Sequence, residues 1–131
     1  MPIQREGEFL VTRDLGITAS IGMETEKLRE CIAVAKSERF EGVFGSPFFG
    51  FRQSNLDFLA EHPHLRQVWF WDCTFDSIEG LYALARLNYC GVMQKRPGID
   101  FSRFARLETV VTLWNPKDTG FAGSSIRQFY F

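Results

Sequence analysis

A chain of 131 residues, 45% of them hydrophobic, has the length of one domain and enough apolar surface for a core. Fifteen basic residues scattered among 16 acidic ones give a net charge of -1, which argues against a nucleic-acid surface, and no apolar run approaches the roughly 18 residues of a membrane-spanning helix. Cys31, Cys73 and Cys90, an odd set with no C-x-x-C pair, predict a reducing compartment, the cytoplasm, and the opening Met-Pro-Ile-Gln-Arg-Glu-Gly-Glu lacks the apolar stretch of a secretory signal.

Phe9 to Thr12 and Ile17 to Ile21 read as two short extended segments around Arg13-Asp14-Leu15-Gly16, a hairpin. From Thr25 to about Glu38 helix formers dominate, with Leu28, Cys31, Ile32 and Ala35 on one face and Thr25 placed to cap it. Residues 1–39 are therefore expected to form an N-terminal cap of hairpin and helix. A degenerate repeat begins at Phe40, with Val43 pointing inward, and Asn55 to His62 predicts a helical return stopped by Pro63.

The segment from Leu65 to Phe75, L-R-Q-V-W-F-W-D-C-T-F, carries apolar residues at the spacing L-x-x-L-x-L-x-x-C-x-L. Val68 and Phe70 then point inward from a strand, Cys73 marks the turn and Phe75 packs beneath it. The pattern recurs from Leu84, Leu107 and Ile126, aligning Val68/Phe70 with Leu87/Tyr89, Val110/Thr112 and Phe129/Phe131. The longer middle period places an insertion at Met93 to Gly98, and the turn position reads Cys73, Val92 and Asn115. Between repeats, Phe75, Ile78, Leu81 and Leu84, and again Ile99, Phe101, Phe104 and Leu107, predict tight 3₁₀ return segments with one buried stripe. Parallel strands are expected near 42–45, 67–70, 86–89, 109–112 and 128–131.

This pattern resembles that of leucine-rich repeat proteins, more narrowly short bacterial ones with phrases such as Ile99-Asp100-Phe101-Ser102 and Trp114-Asn115-Pro116-Lys117. The resemblance covers about two thirds of the chain, from Phe40 to Phe131. It implies an α/β solenoid with a curved parallel sheet of about five strands over residues 40–131.

Catalytic and metal signals are weak. His62 and His64 flank Pro63, without a cysteine or carboxylate at ligand spacing, and read as a helix-ending turn; no cofactor is expected. No G-x-S-x-G elbow occurs, and Gly42, Gly45 and Gly50 lack the Lys-Ser/Thr of a phosphate loop.

Strand alternation is more informative, because it sends Trp69 and Trp71 outward, with Phe44 and Ser46, Asn88 and Cys90, Val111 and Leu113, and Tyr130. An apolar outward row needs a cover: a partner protein, a second copy, or the N-terminal cap folded over it. The expected partner-binding set is Phe44, Trp69, Trp71, Asn88, Val111, Leu113 and Tyr130. Phe129 and Phe131 in the last strand form a second, edge-association site, because no return segment follows them. The expected role is a non-catalytic protein-binding module, with neutralisation of a cognate toxin by an immunity protein implied by the resemblance. The alternative is a subunit that homo-oligomerises; an enzyme ranks third.

Overall fold

In the computed structural model, which describes residues 3–113, 115–122 and 124–130, every strand lies beside its neighbour in sequence. β1 (Ile3–Glu6), β2 (Phe9–Thr12), β3 (Ser20–Gly22), β4 (Gly42–Gly45), β5 (Gln67–Thr74), β6 (Tyr89–Lys95), β7 (Thr109–Val111) and β8 (Gln128–Tyr130) form one eight-stranded sheet in that order. The pairings of β1, β2 and β3 are antiparallel, and those from β3 to β8 are parallel. Parallel neighbours require a crossover, supplied first by α1 (Leu28–Ser37) and then, as far as β7, by short 3₁₀ turns. The fold is mixed α/β. Within the expected N-terminal cap of residues 1–39, β1–β3 and α1 belong to this same sheet and core.

The return segments owe their shape to polar side chains that accept the N–H two residues on, a local bond that tightens the chain into a turn. Ser46 Oγ accepts from Phe48 N at 3.2 Å, Asn55 Oδ1 from Asp57 N at 3.0 Å, Ser77 Oγ from Glu79 N at 3.3 Å, and Asp100 Oδ1 from Ser102 N at 3.1 Å. These open the 3₁₀ turns Pro47–Phe49, Asp57–Glu61, Glu79–Ala83 and Phe101–Arg103. Both predicted stripes, Phe75 to Leu84 and Ile99 to Leu107, are buried. Thr25 does not cap the helix. Its hydroxyl accepts from Arg52 N at 2.7 Å, tying the start of that segment to the chain after β4 instead.

Across the inner face runs one row: Val11, Ile21, Val43, Val68, Cys90, Val110 and Phe129. All are buried except Phe129, which is half-buried against Phe101 and Phe121 at ring separations of 6.0 and 5.3 Å. Cys73 returns to the core because β5 bulges: Trp71 and Asp72 together face Met93, with Asp72 left-handed at φ 57°. The extra residue explains why two positions, not one, separate Phe70 from Cys73.

The expected register holds for β4, β5, β7 and Phe129 but not for β6. Val68 pairs with Cys90 and Phe70 with Val92, so Cys90 faces the core rather than outward, Tyr89 faces outward, and Val92 is a strand residue rather than a turn. Leu87, 1% exposed, lies two residues ahead of β6, as Leu65, Leu107 and Ile126 lie ahead of β5, β7 and β8. A buried leucine at the strand entrance reads in sequence like an inward strand residue, and that shifted the alignment. Nor is Met93 to Gly98 an inserted turn: β6 continues to Lys95, and Arg96 turns inward. Its guanidinium donates to Asp118 at 2.7 and 2.9 Å, to Thr112 Oγ1 at 2.9 Å and to the Val92 and Pro97 carbonyls, a fully satisfied buried ion pair. Asn115 behaves as expected of a turn asparagine, donating to Arg96 O at 3.2 Å.

Candidate functional site

The face of the sheet opposite the core carries two rows. The first, read from the register, is Thr12, Ser20, Gly42, Gln67, Tyr89, Thr109 and Gln128; the second is Gly22, Phe44, Trp69, Gly91, Val111 and Tyr130. Leu10 joins the second row from β2, since a Cβ on Gly22 would meet Leu10 Cβ at 3.0 Å and the Phe44 ring at 2.9 Å.

The two glycines explain how large rings fit here. A Cβ on Gly91 would lie 3.1 Å from the Trp69 ring, so the indole lies over that strand as Phe44 lies over Gly22. Trp69 also stacks on Tyr89, with ring centroids 5.6 Å apart and planes at 21°. Trp71 stacks on Phe44 at 6.1 Å and meets Phe49 edge-on at 5.9 Å. The rings thus form two groups on the same face, Trp69 with Tyr89 and Trp71 with Phe44 and Phe49. Burial pushes the Tyr89 phenol upward in pKa, with the Tyr130 phenol adding to the effect.

Part of this surface is covered from within the chain. The β2–β3 loop folds over the start of β5 and is held by Gln67, which is fully buried. Its Oε1 accepts from Ile17 N at 2.7 Å, and its Nε2 donates to Leu15 O at 3.0 Å, Thr18 O at 3.3 Å and Ser20 Oγ at 2.8 Å. Phe44, expected to bind a partner, is 0% exposed under Leu10 and Trp71 and is therefore support for the surface, not contact. Trp69, Trp71, Tyr89 and Val111 remain half-buried, and Tyr130 is exposed.

The other expected site residues fall in different places. Asn88 precedes β6 and donates to Glu108 Oε2 at 3.1 Å and Arg106 O at 3.3 Å, bridging two strand entrances instead of facing outward. Leu113 is exposed just past β7, Phe129 packs inward, and Phe131 and Trp114 lie outside the described residues. Sequence reasoning missed Phe48 and Phe49. Phe48 is 77% exposed, held out by the turn Ser46-Pro47-Phe48-Phe49-Gly50, in which a Ser cap, Pro at the first position and Gly at the end were the available signal.

Other parts of the molecule offer less. A depression of about 630 Å³ beside Glu24, Lys27 and Arg52 has its Glu24 carboxylate already shared by Arg5 at 3.0 Å and Lys27 at 3.6 Å. All three thiols are buried, and burial pushes Cys31 upward and Cys73 and Cys90 up to about 12, the reverse of what a nucleophile needs. Among the described residues no group of three or more His, Cys, Asp and Glu could hold a metal, and no helix is long and apolar enough to cross a membrane. No family model matches the chain, nor does any curated protein or solved structure, so the aromatic face is the site to be explained on its own geometry.

Proposed function

We propose that the chain is a short leucine-rich-repeat-type solenoid that acts by holding another protein against the aromatic face of its sheet. The observation that carries this reading is that Trp69 and Trp71 on β5, Tyr89 on β6 and Tyr130 on β8 all keep exposed area on one face of the sheet, with Trp69 stacked on Tyr89 and Trp71 against Phe49 of the turn that holds the exposed Phe48. Tryptophan and tyrosine combine large apolar area with few rotamers to freeze, which is why such residues dominate binding hot spots. Blocking of a toxin by an immunity protein is one role of this kind, carried by the resemblance of the repeats to short bacterial proteins. The free, buried cysteines support a reducing compartment.

A second reading, self-association, is favoured by a different observation. Leu113, Phe121 and Tyr130 are 46%, 40% and 53% exposed on the segments around β7 and β8. The two readings separate by experiment. Co-purification from the native host under cross-linking, compared between wild type and Trp69→Ala/Trp71→Ala with matched urea midpoints, should lose one specific protein in the variant. Sedimentation of the isolated chain that shows a dimer abolished by Tyr130→Lys, but not by the tryptophan changes, would replace the partner with a second copy.

A further inference from the structure

His62, Leu84 and Phe104 each lie three residues ahead of Leu65, Leu87 and Leu107, which stand two residues ahead of β5, β6 and β7. The backbone bonding of the first two is alike: Leu65 N donates to His62 O and Leu87 N to Leu84 O, both at 3.1 Å. Leu84 and Phe104 are buried and apolar, 1% and 4% exposed, as a core position requires. His62 is 0% exposed, yet among the described residues neither Nδ1 nor Nε2 has a hydrogen-bond partner. A buried imidazole with both nitrogens unmatched is costly where leucine would be free of that penalty, so packing does not explain the histidine.

Its surroundings oppose a positive charge. Lys36 on α1 and His64, whose ring lies 5.7 Å away edge-on, both repel one. Glu61 attracts it, but both Glu61 oxygens are engaged by Arg29 of α1, at 2.8 and 2.9 Å. Among the described residues a proton on His62 therefore has no acceptor, and it must be carried to water.

We propose that His62 is a proton-operated latch: neutral, it seals the corner between α1 and the Asp57–Glu61 turn; protonated, it leaves that corner and releases both segments while the central strand ladder stays formed. Burial, and after it His64 and Lys36, lowers its pKa from 6.5 to about 4 in the closed state. The closed corner binds fewer protons than the open one, so its stability is complete above pH 6.5 and falls as pH drops from there towards about 4. With those two values the open form gains roughly 50-fold between neutral pH and pH 4.5.

Hydrogen exchange, corrected for intrinsic rates, tests this on the full chain at pH 7 and 4.5. Wild type should lose protection at residues 28–37 and 57–65 by tens of fold, with β5 and β6 unchanged. His62→Leu, the side chain of the next turn at this position, should keep protection at both pH values, and His64→Gln should still respond. A His62→Leu chain that loses as much as wild type, a uniform loss over all strands, or a silent His64→Gln overturns the proposal. Should His62→Leu fail to fold, wild-type imidazole titration by NMR decides: His62 titrating near pH 4 to 5 in step with amide deprotection supports the latch, and titration near 6.5 with protection intact overturns it.

Discussion

Gln67→Leu should show how the β2–β3 loop is fastened to the sheet. Leucine keeps most of the volume but removes an acceptor for Ile17 N and a donor shared by Leu15 O, Thr18 O and Ser20 Oγ. Three of those partners lie in the loop and reach water when it lifts, each losing about 1 kcal/mol or less, whereas Ser20 Oγ is fully buried and bears a desolvation cost of about 1–3 kcal/mol. The apolar side chain that replaces the amide recovers roughly 1 kcal/mol, leaving a net loss of about 2–3 kcal/mol. In a urea titration, at a slope of about 1–3 kcal/mol/M, the midpoint should fall by about 1–3 M. Ser20→Ala in the same chain should restore part of the loss, since both polar groups are then gone. A single-mutant change below about 0.5 kcal/mol, with the Ile17 amide still protected, would refute the idea that this side chain holds the loop.

Gly91→Val should lift the Trp69 indole and change its fluorescence and near-UV signal while moving the urea midpoint by no more than about 1 kcal/mol, because the core lies on the other face. Arg96→Met leaves the Asp118 carboxylate buried and uncompensated and should cost about 3–5 kcal/mol by urea titration; Arg96→Met/Asp118→Leu should regain much of it, short of the Ile99 amide that Asp118 also accepts from. At pH 8 none of the three thiols should react with a colourless disulfide reagent in the native chain, and all three should react in denaturant.

The strands around Val43, Val68 and Val110 were legible because inward and outward residues alternate there with a period of two, although Cys73, expected at a turn, is a strand residue after the bulge; the helix was legible because Leu28, Cys31, Ile32 and Ala35 share one face. β6 was not legible. Its sequence Tyr-Cys-Gly-Val-Met places Gly91 where alternation expects a side chain, and that gap exists to seat a tryptophan from the next strand, a requirement invisible until β5 and β6 are paired. Leu87 compounded the error by being buried outside any strand. Among the expected site residues, parity alone placed Trp69 and Trp71 on the outward face. Asn88 was misplaced with β6, and Phe44 was placed on the outward face but lies under Leu10 and Trp71, a cover from β2 and β5 that leaves no local trace in the sequence around it. His62 stood out as a histidine, but its equivalence to Leu84 and Phe104 required the corrected register.

The strict neighbour-to-neighbour order of the strands bears on how the chain finds its fold. Parallel sheets ordinarily demand slow searches between distant segments, yet here each pairing from β3 onward closes a loop of roughly 20 residues, so the entropy lost per step is small and similar throughout. The two longest strands, β5 with 8 residues and β6 with 7, sit in the middle and offer the most hydrogen bonds for one such closure. Folding should start between them and spread stepwise towards both edges, giving a rate nearer that of helical domains than of β-sandwiches of equal size.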